Sequence, residues 1–511
     1  MSLKRNVIAS YIGQAWAAVM GIAFMPLYLR VLGTESFGLI GVYTILQGGM
    51  ILLDFGLTPT LTREMARSRV GTHTPDSIRS LLRSMEFIFC AVAFSILVLV
   101  WLGAPWLAHT WIKSDRLTDG VVVQSLRIMG FVLATRWLEQ IYRGVLQGLQ
   151  DTVWWNATNA ILATIRWAGA YLVIVLVSSN VLSFFAWQGA ISLLAVATLA
   201  QRAYRILPVG SQRARFDPAI LRKIRAFAGG MFVSALLNFC LAQSDKIIIS
   251  KLLSLEQLGF YTLASSVAAG LLLLAVPMTT AVYPQMTDLA TRNDVDALSN
   301  IYLGSCEWMA AIIIPPALLL TFFPDAALFL WTGNSLIANS VAPILSLLML
   351  GTLCNGLMNL PYMLQLAYGW TSLAIFVNLG AAAIAVPTLL LIIPRYGVVG
   401  AASVWLLLNF SYILILVPLM HRRILPGLKL RWYRDAVVRP VAAGVLAALA
   451  LRFLLPTSDS RLSAGIVVFI SAIVIVGCVF AVLPNPRQAL WKGTLGIVRA
   501  ITDHMGYSRS R

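Results

Sequence analysis

Fourteen apolar runs, each near the ~20 residues that cross a hydrocarbon core at about 1.5 Å per residue, account for most of this chain. They lie at roughly 7–29, 37–60, 85–108, 121–146, 156–178, 181–201, 226–250, 258–284, 301–324, 341–365, 371–393, 398–420, 437–455 and 462–483. Inside lipid the backbone must satisfy its own hydrogen bonds, so each run is predicted to be a helix. With 59% hydrophobic and 11% charged residues and a mean hydropathy of +0.83, a soluble globule is excluded. The fold class is therefore an all-α polytopic membrane protein of about 14 transmembrane helices. Pro26, Pro277, Pro315, Pro316 and Pro387 fall inside runs and predict kinks or broken turns. The first run follows Lys4 and Arg5 but is too long for a signal peptide, and is read as a retained helix.

Net charge is +18, which in a soluble chain would point to nucleic acid. Here the basic residues cluster between apolar runs. With the N-terminus inside and the runs alternating, 27 of the 38 Lys and Arg residues fall on the inner side. Only Arg30, Lys113, Arg116, Lys251, Arg395 and Arg461 fall outside. That bias predicts cytoplasmic termini and an even number of crossings, with the lipid bilayer rather than nucleic acid as the partner of the charge. The five cysteines lie in apolar runs without ligand spacing and predict neither a disulfide nor a metal site.

The chain states its architecture twice. Arg205-Ile206-Leu207-Pro208 recurs as Arg423-Ile424-Leu425-Pro426, 218 residues later. Leu32-Gly33-Thr34-Glu35-Ser36-Phe37-Gly38 is echoed by Leu253-Ser254-Leu255-Glu256-Gln257-Leu258-Gly259 at an offset of 221. Thr62-Arg63-Glu64-Met65-Ala66 faces Met286-Thr287-Asp288-Leu289-Ala290. Six runs per copy give both copies the same orientation, the arrangement of parallel transporter repeats. The expected domains are a six-helix lobe over 1–210, a second over 211–430, two additional helices over 431–485 and a cytoplasmic tail over 486–511. An interfacial helix and an unstructured segment are both open for that tail.

No P-loop, dinucleotide fingerprint, nucleophile elbow or zinc-protease motif occurs, and the loops are short, so an enzyme is not expected. What remains is charge inside the membrane, where each group costs at least ~2.5–3.5 kcal/mol and normally faces a cavity or a partner. The basic residues are Arg127, Arg136, Arg166, Lys246 and Arg452, and the acids within or beside runs include Asp54, Glu86, Glu139, Asp245 and Glu307. Arg127 and Arg452 lie near outer ends, where they can snorkel. Arg136, Glu139 and Arg143 share one helix face. Two readings stand for Arg136 and Arg166. One is a structural Arg136–Glu139 pair with Arg166 bonded to an amide or carbonyl. The other is a cationic cavity wall, which would suit a phosphate-bearing anion because guanidinium donates paired hydrogen bonds. Arg127 and Lys246 are the further candidates for that wall. Asp54, Glu139, Asp245 and Glu307 are candidate pairing acids or groups for H+ or Na+ coupling. The pair Trp154-Trp155 reads as an interfacial belt or as a sugar platform. At the 218 offset Arg136, Glu139 and Arg166 face Cys354, Leu357 and Ile384, so these charges are not repeated scaffold, which points to a substrate.

The stretches Pro26-Leu27-Tyr28-Leu29-Arg30-Val31-Leu32-Gly33, Glu35-Ser36-Phe37-Gly38-Leu39, Leu53-Asp54-Phe55-Gly56-Leu57 with Arg63-Glu64, and Asp245-Lys246-Ile247-Ile248-Ile249 before Leu258-Gly259-Phe260-Tyr261 carry a resemblance. They resemble the polysaccharide-exporter branch of the multidrug/oligosaccharidyl-lipid/polysaccharide (MOP) superfamily, which includes O-antigen repeat-unit flippases. The resemblance covers roughly residues 1–430. It implies a flippase of the bacterial inner membrane for undecaprenyl-diphosphate-linked oligosaccharide, working by alternating access around a cationic cavity. The partners it implies are the lipid-linked oligosaccharide, a polysaccharide polymerase and a chain-length regulator. Fourteen runs also resemble the lipid II flippases, but those carry cavity charge on their first helix, and nothing between Arg5 and Arg30 is charged here. That favours an O-antigen or exopolysaccharide unit. The alternative is a drug or small-solute antiporter of the same fold, with an apolar or acidic cavity.

Overall fold

In the computed structural model, which describes residues 3–69, 74–208, 218–455 and 460–488, the chain is all helix, with no strand among those residues. The first ten helices are α1 (Leu3–Leu32), α2 (Thr34–Leu53), α3 (Leu57–Ser68), α4 (Pro75–Trp106), α5 (Asp119–Gly148), α6 (Thr152–Leu176), α7 (Val181–Ile206), α8 (Pro218–Leu252), α9 (Leu255–Leu273) and α10 (Val276–Thr291). Then come α11 (Val295–Phe322), α12 (Pro324–Thr332), α13 (Ser335–Ala367), α14 (Thr371–Arg423), α15 (Lys429–Trp432), α16 (Arg439–Leu454) and α17 (Arg461–Val482). A π-helical turn, Leu107–Trp111, extends α4, and another, Tyr433–Val438, joins α15 to α16.

Among the described residues twelve helical stretches are long and apolar enough to cross a membrane, so the chain is a multi-pass membrane protein. The expected count of fourteen is not reached as a count. The runs 371–393 and 398–420 both fall in α14, whose 53 residues would extend about 80 Å if straight. Gly397, at φ 59° and ψ −146°, interrupts it. No L-residue with a Cβ adopts that backbone readily. The run 226–250 lies in α8, whose first half is only partly described. The tail beyond 488 lies outside the described residues.

Two runs are broken, at equivalent places in the repeat, the second beside Pro277, where a broken turn was expected. The run 37–60 stops at Asp54-Phe55-Gly56, where Phe55 (φ 41°) and Gly56 (φ 76°) are left-handed. The run 258–284 stops between α9 and α10, with Pro277 in the first turn of α10. Pro26, Pro315 and Pro316 lie inside continuous helices, α1 and α11.

Internal contacts divide the chain into two compact units, Met1–Leu263 with Asn378–Val398, and Ala264–Val377 with Val399–Arg511. These units group residues that touch, whereas the expected lobes 1–210 and 211–430 group residues that correspond, so the boundaries differ. In the first unit α1 packs on α6: Tyr28 donates to the Trp167 carbonyl at 2.5 Å and Trp16 Nε1 to Thr164 Oγ1 at 2.9 Å. Phe89 of α4 stacks on Trp137 of α5, with centroids 4.9 Å apart. Buried Glu86 ties three helices. Its carboxylate accepts from Tyr142 (2.9 Å) and Tyr204 (2.7 Å) and pairs with Arg83 at 3.2 Å. In the second unit Asn355 Nδ2 donates to Asn409 Oδ1 at 2.8 Å. Arg452, expected to snorkel, pairs with Asp325 of α12 at 3.2 Å.

The repeated loop motif meets itself within the first unit. A Cβ on Gly38 would lie 2.0 Å from the Leu255 carbonyl oxygen, and one on Gly259 2.6 Å from that of Thr34. Thr34 corresponds to Leu255 and Gly38 to Gly259 at the offset of 221, so the two contacts are reciprocal. Gly41 meets Thr262 by the same relation. The loop after α4 is fastened to this crossing. Glu35, 6% exposed, accepts four hydrogen bonds of 2.9–3.0 Å from the backbone N–H groups of Asp115, Arg116 and Leu117. Leu255 N donates to the Lys113 carbonyl at 2.9 Å, Trp111 Nε1 to Ser250 Oγ at 3.0 Å, and Thr34 Oγ1 to Glu256 at 2.8 Å.

Candidate functional site

The break after α2 builds the site. Asp54, the residue that ends α2, accepts with Oδ1 from the Thr58 N–H at 3.1 Å and its hydroxyl at 2.6 Å, a cap from two residues ahead of the Gly56 N-cap that satisfies one of the free N–H groups at the start of α3. The cap turns α3 beneath α5 and leaves a cavity of about 390 Å³. Gln47, Met50, Ile51 and Asp54 line it from α2, Thr58 and Pro59 from α3, and Arg136, Glu139, Gln140 and Arg143 from α5. On both long helices the spacing is i, i+3, i+4, i+7, one helical face.

Arg166 of α6, 8% exposed, closes the cluster from behind. Its Nη2 lies 3.5 Å from Glu139 Oε2. Neither atom makes a hydrogen bond, and the Nε atoms of Arg136, Arg143 and Arg166 and the Tyr43 hydroxyl are likewise buried without a protein partner among the described residues. The expected alternative of an Arg136–Glu139 pair is replaced by Glu139 facing Arg166 across two helices. Arg136 and Arg143 form no ion pair with a described residue. Three guanidinia thus meet two carboxylates, leaving the cluster net positive with donors unspent. Buried donors without acceptors are costly, and oxygens of an anion are the chemistry that would satisfy them.

The other sequence candidates lie elsewhere. Arg127 does not line this cavity. It is nine residues before Arg136, half a turn around α5, and sits over the Trp101 ring at 4.8 Å. Asp245 accepts from the Tyr261 hydroxyl at 2.5 Å and from the Lys246 N–H at 2.7 Å, so it joins α8 to α9. Lys246 makes no ion pair among the described residues. Glu307, 7% exposed, accepts the Asn485 N–H at 3.0 Å in the second unit. Trp155 is core, packed with Leu146 and Leu199. Trp154 lies under Arg202, 5.1 Å away, and Arg202 pairs with Asp151 at 2.7 Å. Neither ring is a free platform. All five cysteines are free thiols, and no cluster of potential metal ligands occurs among the described residues.

Arg143 is the main cavity-lining residue that the sequence reading left out of the site. Its place at a helix end made it one of the orienting inner charges. The available signal was the i, i+7 relation to Arg136 on the Glu139 face. Gln47 and Gln140 carried no signal without the fold.

Comparison with known proteins agrees with this architecture. The profile of the family described as Polysaccharide biosynthesis protein matches residues 3–290. A Shigella flexneri protein named as a candidate O-antigen transporter is 22% identical over 406 residues, 79% of this chain and 94% of that one. The fold is similar to the lipid II flippase MurJ in an inward closed conformation, with a TM-score of 0.69 at 14% identity, covering 92% of this chain and 98% of that one. It is also similar to an inward-facing multidrug resistance MATE family transporter of the MOP superfamily, with a TM-score of 0.63 at 13% identity, covering 80% and 94%.

Proposed function

Since the chain belongs to the polysaccharide biosynthesis protein family and has the MOP fold, we propose that it is a flippase for lipid-linked oligosaccharide. Its substrate would be an undecaprenyl-diphosphate-linked unit of the O-antigen or exopolysaccharide kind; the name of the Shigella relative gives O-antigen for that protein. It would work in the bacterial inner membrane, by alternating access, with both termini cytoplasmic. The relatives are transporters and flippases, not enzymes. One observation carries the reading: Arg136 and Arg143 face a cavity between apolar helices without ion partners among the described residues, backed by Arg166. A diphosphate offers several anionic oxygens to guanidinium forks. A drug antiporter would be served by an apolar or acidic lining, whereas here Arg136 and Arg143 stand in the lining beside Asp54 and Glu139, with Arg166 behind, and leave it net positive.

The crossing of α2 and α9 would have to separate once per cycle to release the glycan. Asp54 has one oxygen committed to its cap. We assign the other as the group for H+ or Na+ coupling. A polysaccharide polymerase and a chain-length regulator would take the product on the far side.

The test is export of surface polysaccharide by Arg136→Gln, Arg143→Gln and Arg166→Gln variants at matched expression. Each charge-assisted bond contributes about 1.5–3 kcal/mol, so single variants should lose roughly 10- to 100-fold in transport and accumulate lipid-linked units inside. Full-rate export by the Arg136→Gln/Arg143→Gln pair would end the proposal.

A further inference from the structure

On the opposite face of α5 lies a second, chemically different groove of about 480 Å³. Its walls are Leu97, Val98, Trp101 and Leu102 of α4 and Ile128 and Phe131 of α5, with Arg127 as its one charged group. No acid lines it. Gly130 brings α5 close against α4, where a Cβ would lie 2.9 Å from Val100. The walls of the groove are open outward: Leu102 is 72% exposed and Trp101 50%.

The Arg127 Nε is buried without a hydrogen-bond partner, and one face of its guanidinium rests on Trp101 at 4.8 Å. It forms no ion pair with a described residue. Arg127 stands eight residues into α5, about 12 Å from its start. Helical side chains lean toward the N-terminus, which brings the guanidinium closer to the polar boundary marked by the His109–Asp119 pair at 2.9 Å. A lone cation above an apolar trough matches an anion that carries apolar chains, and a single arginine suits the single phosphate of a glycerophospholipid better than a diphosphate. We propose that this groove binds an anionic glycerophospholipid from the leaflet at that end of α4 and α5. Its phosphate would sit on Arg127 and an acyl chain would lie along Val98, Leu102 and Phe131. The site is independent of the transport reading, because it shares no residue with the central cavity.

Native mass spectrometry of the purified full chain tests this, with phosphatidylglycerol or phosphatidylcholine of identical acyl chains. The expected result is one phosphatidylglycerol retained under activation that strips phosphatidylcholine. Arg127→Gln should weaken that retention roughly 10- to 100-fold, the scale of a hydrogen bond to a charged group. Arg452→Gln, at an arginine already paired with Asp325, should leave it unchanged. Leu102→Glu, which sets a carboxylate in the open wall, should also abolish it and serves if Arg127→Gln fails to fold. Equal retention of both lipids, or retention unchanged in Arg127→Gln or in Leu102→Glu, would overturn the proposal. Displacement by inorganic phosphate alone would also overturn it, showing a free-phosphate site instead of a lipid site.

Discussion

Gly38→Ala is the sharpest perturbation of the α2–α9 crossing. The new Cβ would start 2.0 Å from a backbone oxygen, Leu255 O. Carbon and oxygen do not approach closer than about 3 Å in a close-packed interior, so the start of α9 must retreat by about 1 Å. A retreat of that size breaks the 2.8 Å Thr34–Glu256 bond and the 2.9 Å Leu255–Lys113 bond. At about 1 kcal/mol each, with lost dispersion added, the crossing is weakened by roughly 2–3 kcal/mol. That shifts a two-state equilibrium roughly 30- to 150-fold toward separated helices. The assay is the maleimide labelling rate of Ser36→Cys, a position 7% exposed at the crossing, in purified protein with its five cysteines replaced. Labelling should accelerate by that factor. Gly259→Ala, with its milder 2.6 Å approach, should give a smaller acceleration. Gly103→Ala, which meets nothing within 4 Å, should give none. A Gly38→Ala protein that labels at the parental rate would refute the reasoning.

Glu35→Ala strands three backbone N–H groups and should lower stability by about 3 kcal/mol, read as a fall in thermal midpoint. Glu86→Ala removes the acceptor shared by Tyr142, Tyr204 and Arg83 and should cost about 2–4 kcal/mol; a change within about 0.5 kcal/mol would show that the tripod is dispensable. Asp54→Ala should lose the α3 cap at about 1 kcal/mol, whereas Asp54→Asn keeps it. If Asp54→Asn exports at full rate under every ion condition, Asp54 is a cap and nothing more. Arg452→Gln breaks an exposed pair and should change stability by less than about 1 kcal/mol.

The helices were legible because hydrocarbon demands length and apolarity, and both are written in the runs. The breaks were less so. Asp54-Phe55-Gly56 sits inside a run, and hydropathy averaged over a window passes across a turn whose cause is a left-handed glycine and one capping carboxylate. The interruption at Gly397 was legible, because it falls between the runs 371–393 and 398–420. The site was half legible: Arg136, Glu139 and Arg166 come together, but Glu139 chose its partner on α6 instead of α5, and that choice is set by helix packing. Arg127 and Arg136 were grouped by their charge although nine residues place them on opposite faces. Glu35 was invisible as an anchor because its partners are backbone groups some eighty residues away, and backbone carries no sequence signal.

The reciprocal glycine contact also constrains how the two copies of the repeat can drift apart. Where two side chains touch, a change in one can be answered by a change in the other. At Gly38 and Gly259 the opposing atoms are carbonyl oxygens, which no substitution can shrink. Neither position therefore has a second-site suppressor within the contact. The flanking residues show the other regime: Thr34 against Leu255, Ser36 against Gln257 and Phe37 against Leu258 have all diverged. The two glycines mark where divergence between the halves was geometrically closed, and they help keep the duplication legible in this loop.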